Sequence, residues 1–326
     1  MIGRARFGSA DAAVWRPGPE HLARSRLAAA MKRWGYASLD ELHRASVDDP
    51  HWFWPAVAED LGIPLAGAPR AVCDASRGRA FPKWFAGATM NIVASLDRHA
   101  ADARSAQRDA IVYEGDSGER RSLTFAALKR EVDRCAAGLR RLGIGKSDRV
   151  ALFMPPVPEA AVALMSCARI GAIVVPAFSG YGSESLATRL NAANAVAVVT
   201  VNGTTRRGKP VPMKAIADGA VAASPSVRHV IVVRSSGDSV SMTPGRDHRW
   251  DEVASAGEGD SSMAALDPTI RCSSCTRRAQ LAHQKASCIR TSASCSSPRW
   301  TSVTRSTCRR TMRSPGSRTW GGCWAR

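Results

Sequence analysis

No stretch of this 326-residue sequence is long and apolar enough to serve as a membrane span or a secretion signal. The longest nearly apolar window, 160–178, is interrupted by Arg169, Gly171 and Pro176, a pattern typical of a helix, a turn and a strand. The N-terminal residues contain no apolar core of signal-peptide length. We therefore expect a cytoplasmic protein with no membrane partner, whose cysteines need form no disulfide.

Acidic residues are absent from the last 56 residues, 271–326, which contain eleven arginines and one lysine. This segment supplies +12 of the formal net charge of +18, whereas the first 270 residues carry 34 basic and 28 acidic residues. Leucine, isoleucine, valine, methionine and phenylalanine together account for only four of its residues. Because so few apolar groups cannot form a core, we expect residues 269–326 to be a disordered basic tail, with the last packed element ending before about Pro268.

Between 148 and 202, apolar runs alternate with segments of helical periodicity. The pattern predicts, in order, a strand at Val150–Met154, a helix from Pro158, a strand at Ile173–Val175, a turn at Ser179–Gly182, a helix at Glu184–Asn191 and a strand at Val196–Val201. Continuously apolar strands separated by helices are typical of a parallel sheet covered by helices on both faces. We therefore predict an α/β fold.

The flanking sequence extends this pattern in both directions. Upstream it predicts a helix capped by Ser38, a hairpin over 110–124 and a long amphipathic helix capped by Thr124. Downstream it predicts a helix at 215–223 and a strand at His229–Val233. We divide the chain into a poorly ordered start, 1–35, a helical N-terminal extension, 36–100, and an incomplete parallel-sheet domain, 101–268.

The order of three segments, RVALFMPPVPEAAVALMSCARIGAI, FSGYGSESLATRL and RRGKPVPMK, resembles the large domain of AMP-forming acyl-CoA synthetases, nearest the acetyl-CoA synthetase branch. Trp84 to Asn91 resembles the segment on which, in that family, the N-terminal extension docks. The resemblance covers about Tyr36 to Pro268. It implies an enzyme that converts a carboxylic acid, acetate or another short to medium acid, into an acyl-adenylate with ATP and Mg²⁺. The acyl group then passes to coenzyme A.

A basic loop follows the third strand of this pattern. Arg206, Arg207 and Lys209 flank Gly208 at the carboxyl end of a predicted parallel strand, where such sheets bind ligands. Guanidinium and ammonium groups suit a phosphate-rich ligand, and glycine allows a close backbone approach. The resemblance implies that this loop contacts the 3'-phosphate and pyrophosphate of coenzyme A. The alternative is a solvated basic turn.

The resemblance ends after Asp267 and Pro268. The family has the phosphate loop TSGTTGxPKG there, whereas this chain has RCSSCTRRAQLAHQKA. If the codons of Cys275–Ala286 are translated from their third base onward, they admit YTSGTTGSPKG, residue for residue. The same shift at Ser317–Arg326 admits T-D-x-G-W-x-L-G-P, another motif of the family. We therefore interpret the tail as the out-of-frame translation of an ordinary gene, with the frame changing near 267–270.

Other interpretations of the tail remain open. Cys272 and Cys275, with His283, Cys288 and Cys295, could bind zinc, although the second half lacks the usual spacing. The arginines and tryptophans could bind nucleic acid non-specifically. Because the phosphate loop and everything after it are missing, we expect an inactive ligase fragment and assign no catalytic or metal-binding residue. A non-catalytic protein that binds coenzyme A or nucleic acid is the alternative function.

Overall fold

The computed structural model describes residues 17–78, 80–115, 118–206, 208–237, 239–255 and 259–269, together with the backbone of 271–276 and 286–290. Its helices are α1 Pro19–Ala23, α2 Arg26–Trp34, α3 Leu39–Asp48, α4 Pro50–Asp60, α5 Ala94–Ala101, α6 Phe125–Arg141, α7 Pro158–Ile170, α8 Ser183–Ala193, α9 Met213–Ala222 and α10 Trp250–Ala254. Its strands are β1 Leu65–Ala66, β2 Ala71–Asp74, β3 Lys83–Ala86, β4 Thr89–Met90, β5 Asp109–Glu114, β6 Arg120–Thr124, β7 Arg149–Phe153, β8 Ile173–Ala177, β9 Ala197–Val201, β10 Thr204–Arg206, β11 Lys209–Val211, β12 His229–Val233, β13 Asp247–Arg249, β14 Arg271–Thr276 and β15 Ala286–Arg290.

The first compact unit of the chain ends at Ile63 and contains α1 to α4. Ser38 caps α3 as predicted: its side chain accepts a hydrogen bond from the amide of Glu41, whose carboxylate accepts one from the amide of Ser38. The rings of Trp34 and Trp52 pack edge to face, with centroids 5.9 Å apart. Within the start that was predicted to be poorly ordered, the structure has α1 and α2. Helix α2 has a serine cap at its start and the left-handed Gly35 at its end.

The second unit, which begins at Pro64, contains a seven-stranded sheet in the order β13-β12-β9-β7-β8-β14-β15. All neighbouring strands in it are parallel except β14 and β15. The chain runs from β7 to β8 on one side and then returns to β9 on the other side of β7. Such a reversal of strand order leaves a crevice at the carboxyl ends of the strands, where ligands bind in sheets of this kind.

Helices cover this sheet in two groups. Helix α6 packs against α7 and α10, while α8 packs against α9. Two cysteines of this group, Cys135 on α6 and Cys167 on α7, are at most 1% exposed. Burial raises the pKa of the Cys135 thiol to about 12, so this group is an inert part of the core.

The helices and strands predicted over 148–233 are confirmed, with boundaries shifted by a few residues at most.

A buried polar junction fixes the end of α7 to the segments before and after the sheet. The side-chain amide of Asn91 donates hydrogen bonds to the carbonyls of Ala168 and Ala264, at 2.9 and 3.1 Å. Arg169, 6% exposed, holds Asp97 through two 3.0 Å hydrogen bonds and lies 3.1 Å from Asp133 in an ion pair. Asn91, part of the resemblance, thus has a structural role.

The last two strands correct the expectation that no packed element follows Pro268. Strand β14 pairs with β8 in parallel, with Ser273 opposite Val174, and β15 pairs with β14. Unpaired backbone groups at the edge of β8 can bond any extended chain, whatever its side chains. For these eleven residues the structure therefore differs from the predicted disorder. The remainder of the tail lies outside the described residues.

The described residues contain no helix whose length and hydropathy would suit a membrane span. They also contain no group of three or more potential metal ligands. The cysteines weighed above as zinc ligands lie in the tail, where side chains are outside the description.

Candidate functional site

Two segments meet at the carboxyl edge of the sheet, one after β8 and one after β9. The turn Ser179–Gly182 follows β8, as predicted. The segment after β9, predicted as a loop, instead forms the antiparallel hairpin β10–β11, in which Arg206 pairs with Lys209. Together they enclose a cleft of about 260 Å³, lined by Ser179, Gly180, Tyr181, Gly182, Arg206, Val211 and Ile216. Arg206 therefore lies at the edge of the sheet where the sequence predicted the basic residues.

Arg206 lies over an aromatic ring at this cleft. Its guanidinium carbon is 4.9 Å from the ring centroid of Phe178, within the range of a cation–π contact. A Cβ atom on Gly180 would clash with Nη1 of Arg206, so glycine leaves the space that this stacked position needs. The exposed guanidinium retains hydrogen-bond donors for an anion.

The other predicted residues of the loop have different outcomes. Lys209 begins β11, is exposed and lies opposite Arg206. Neither cation forms an ion pair with a carboxylate of the described residues. Gly208 has φ of +74°, a backbone conformation that favours glycine at this turn. A close backbone approach to a ligand at Gly208 stays a prediction. Arg207 lies outside the described residues.

The aromatic wall of the cleft was not predicted from the sequence. Phe178 and Tyr181 pack edge to face, with centroids 5.6 Å apart. Arg189, 6% exposed, stacks its guanidinium carbon 3.9 Å from the centroid of Tyr181 and so helps to fix that ring. The signal was present, since aromatic and glycine residues alternate immediately after a buried parallel strand. Their meeting with Arg206 depends on the strand order, which the local pattern does not contain.

A buried network of charges fixes the start of α9, just after the hairpin. Nζ of Lys214, 2% exposed, lies 2.7 Å from Asp218 and 2.8 Å from Asp247. Arg246 bonds both carboxylates at 2.6 Å. Burial raises the pKa of Asp247, but the hydrogen bonds from Arg246 and Lys214 outweigh it and lower that pKa to about 2. Lys214 is thus a structural cation, unavailable to a ligand in the cleft.

Two histidines face each other at the opposite, amino end of the strands. Nδ1 of His229 on β12 lies 3.1 Å from Nε2 of His248 on β13. Burial lowers the pKa of His229, and the nearby His248 and Arg228 lower it further, whereas a hydrogen bond with the carbonyl of Leu142 raises it. The net lowering favours a neutral ring in the folded protein.

Acidification is therefore expected to destabilise the chain through His229. The stability due to its neutral ring is complete above the unfolded-state pKa of 6.5 and is lost as pH falls through the lower folded-state value. Urea unfolding at pH 7.5 and 5.5 measures this loss, which His229→Gln should reduce. The exposed His43 on α3 provides the control variant, His43→Gln. An unchanged pH dependence in His229→Gln would contradict the assignment.

A larger cleft, of about 420 Å³, lies elsewhere, between β6, α7 and α10. Its arginine, Arg121, makes two hydrogen bonds with the carboxylate of Glu159, at 2.7 and 3.1 Å. Because this cation is already neutralised and Glu131 also lines the cleft, it offers little to a phosphate. The smaller cleft at the carboxyl edge, with its unpaired cations, is therefore the better candidate site.

The residues at the carboxyl edge are suited to binding a ligand and not to catalysing a reaction. It brings together two cations, an aromatic face and the backbone of a glycine-containing turn. These groups are suited to phosphate and to a flat ring. The side chains that line the cleft include no carboxylate, histidine or thiol that could transfer a proton or attack a carbonyl.

Comparison with known proteins agrees with this architecture. The family described as AMP-binding enzyme matches residues 96–275, and the acetyl-coenzyme A synthetase N-terminus matches residues 39–95. An acetyl-coenzyme A synthetase of Streptomyces coelicolor is 43% identical over 188 residues, which are 57% of this chain and 29% of that protein. One of Rhodopirellula baltica is 41% identical over 236 residues, 70% of this chain and 33% of that protein.

A solved structure extends the likeness to the fold. The acetoacetyl-CoA synthetase from Streptomyces lividans superposes with a TM-score of 0.76 at 24% identity, covering 86% of this chain and 43% of that protein. The present chain spans about a third of the length of the two curated relatives. Since the matching family covers more than half of the chain, this protein belongs to the AMP-binding enzymes.

Proposed function

We propose that this chain is the N-terminal part of an acid–CoA ligase located in the cytoplasm. The intact protein would convert a carboxylic acid, acetate or another short to medium acid, into an acyl-adenylate with ATP and Mg²⁺, and transfer it to coenzyme A. Support comes from the curated relatives named acetyl-coenzyme A synthetase and from the sheet that carries the cleft. The chain as it stands is expected to be inactive.

Within this proposal, the cleft holds the phosphate-bearing end of coenzyme A. The observation that supports it best is Arg206, exposed and stacked on Phe178, opposite Lys209 across the hairpin. Two unpaired cations can neutralise the 3'-phosphate and pyrophosphate, and Arg207, between them in sequence, adds a third positive charge. Gly208 forms the turn that allows the two strands to present these cations together.

Arg206→Ala and Lys209→Ala should each weaken coenzyme A binding about tenfold. This corresponds to a loss of about 1.4 kcal/mol in binding free energy. The effect should be larger at low salt, because exposed cation–phosphate contacts are less screened there. Isothermal titration of each variant with coenzyme A, at two salt concentrations, measures this. Dephospho-coenzyme A lacks the 3'-phosphate. If that phosphate is the partner of the replaced cation, the parent and the variant should differ less in their affinity for dephospho-coenzyme A.

Lys83→Ala provides the matched control, since Lys83 is an exposed lysine on β3, away from the cleft. Its affinity for coenzyme A should equal that of the parent. If Arg206→Ala and Lys209→Ala also bind as the parent does, the hairpin is a solvated basic turn and the coenzyme site lies elsewhere.

A non-catalytic binding protein is the second candidate function. The observation that favours it is the concentration of eleven arginines after residue 270, which could bind nucleic acid through charge alone. Titrating RNA and coenzyme A against the whole chain distinguishes the two candidate functions. Binding of RNA that vanishes at high salt, with no response to coenzyme A, would favour this alternative.

A further inference from the structure

Arg189 on α8 is a buried cation without a carboxylate partner. It is 6% exposed, as is Arg169, and Lys214 is 2% exposed. Arg169 and Lys214 each form ion pairs with two carboxylates. In the part of the chain that the structure describes, Arg189 forms no ion pair. Because a buried charge is costly unless it is paired, the position of this arginine needs another explanation.

Arg189 makes two contacts, of which one is specific to arginine. Its Nη1 donates to the carbonyl of Ser185 at 2.6 Å, and its guanidinium carbon lies 3.9 Å from the ring centroid of Tyr181. Ser185 lies four residues earlier in α8, so the backbone amide of Arg189 already bonds its carbonyl. The side-chain hydrogen bond is therefore dispensable. The stack of a planar guanidinium on the ring of Tyr181 is the contact that requires arginine.

Tyr181 connects this contact to the cleft. Its ring packs edge to face against Phe178, with centroids 5.6 Å apart, and the guanidinium carbon of Arg206 lies 4.9 Å from the centroid of Phe178. These side chains form a stacked row in the order Arg189, Tyr181, Phe178 and Arg206. Because Phe178 is 47% exposed, its ring depends on Tyr181 for support. A shift of Tyr181 would therefore change where Arg206 presents its donors.

We propose that Arg189 is a positioning residue for the cleft. By fixing Tyr181 it orients Phe178 and, through that ring, the guanidinium of Arg206 toward a bound phosphate. Arg189 itself does not line the cleft, so it acts without touching the ligand. The orientation of Arg206 rests on the stacked row alone, and only the identity of the ligand, coenzyme A, rests on the proposed function.

Arg189→Met should lower the affinity for coenzyme A without lowering stability. Replacing a buried charge by an apolar side chain of similar volume is often neutral or stabilising, so the thermal midpoint should equal or exceed that of the parent. The affinity should fall about threefold, as expected for loss of a cation–π contact of modest strength. Arg130→Met, at an exposed arginine on α6, is the matched control and should change neither value. A lower midpoint with unchanged affinity would assign Arg189 to the fold alone and overturn the proposal.

A double-mutant cycle tests whether the effect passes through Arg206. In the Arg206→Ala background, Arg189→Met should cause no further loss of affinity, because the side chain that it orients is gone. In the Lys209→Ala background the same loss should remain, since Lys209 is not part of the stacked row. The salt dependence of the affinity should be the same in Arg189→Met as in the parent, because no exposed cation that meets phosphate is lost. An undiminished loss in the Arg206→Ala background would overturn the proposal.

A measurement without ligand distinguishes failure of this proposal from failure of the proposed function. If the parent binds no coenzyme A, the proposed function fails, and NMR of the free protein then tests the stacked row. The Nε–H resonance of Arg206, displaced by the ring current of Phe178, should move toward the position of a solvated arginine in Arg189→Met. It should not move in Arg130→Met. An Arg206 resonance that stays in place in Arg189→Met overturns the proposal, whatever coenzyme A binding shows.

Discussion

Replacing Lys214 by methionine is expected to lower the free energy of unfolding by about 3 kcal/mol. Lys214 is 2% exposed and the side chain of Asp247 is fully buried, so the substitution leaves two carboxylates with only Arg246 as cation. Removing one partner of a buried ion pair is destabilising because the remaining charge has lost its water and its partner. Urea unfolding at pH 7 measures the change.

The matched control is Arg120→Met. Arg120 bonds Glu114 at 2.8 Å, a distance like those around Lys214, but its side chain is 75% exposed. An exposed pair contributes only about 0–1 kcal/mol, so this variant should unfold almost as the parent does. Equal losses of stability in both variants would contradict the view that burial makes the Lys214 network important.

The same network links stability to the candidate site. Lys214 lies in the first turn of α9, and the hairpin with Arg206 and Lys209 ends two residues before that helix. The amide of Lys214 also donates to the carbonyl of Asn202, whose side chain in turn accepts from the amide of Ser235. Lys214→Met should therefore also weaken coenzyme A binding, although Lys214 does not line the cleft.

The strands and helices from 148 to 233 could be predicted because each carries its signal within its own residues. Strand β9 is buried along its whole length and is apolar apart from Thr200, and α7 begins at the expected Pro158. Ser38 and Thr124 cap their helices as their residue types suggest. These features depend on contacts within a few residues, which a local pattern contains.

The site was harder to predict because its contacts are distant in sequence. Phe178 meets Arg206 only because β8 and β9 flank β7 in the sheet. Lys214 meets Asp247 for the same reason, through the pairing of β12 with β13. A pattern such as Arg-x-Gly-Lys indicates charge and a turn, but it does not show which aromatic ring or carboxylate will lie beside it.

The chain as it stands is expected to show no carboxylate-dependent exchange of labelled pyrophosphate into ATP. Formation of an acyl-adenylate requires the phosphates of ATP to be held in line with the attacking carboxylate, and such positioning supplies most of the catalysis. Residues 276–286 are TRRAQLAHQKA and contain no glycine, so they lack the residues that let backbone amides converge on phosphate. Arginine and lysine charges without that loop bind ATP loosely.

The comparison that isolates this cause is the same coding DNA with one base inserted after codon 269, expressed through the end of its restored frame. Losing a single stabilising donor in an active site reduces kcat by about 10²–10³, so loss of a whole loop should place the present chain at least that far below the restored one. Arg206→Ala in the restored enzyme should retain pyrophosphate exchange, because adenylate formation precedes the use of coenzyme A. The same substitution should lower the rate of thioester formation. Exchange above background by the present chain, abolished by a substitution before Pro268, would show that the sheet and its cleft activate a carboxylic acid without the glycine-rich loop.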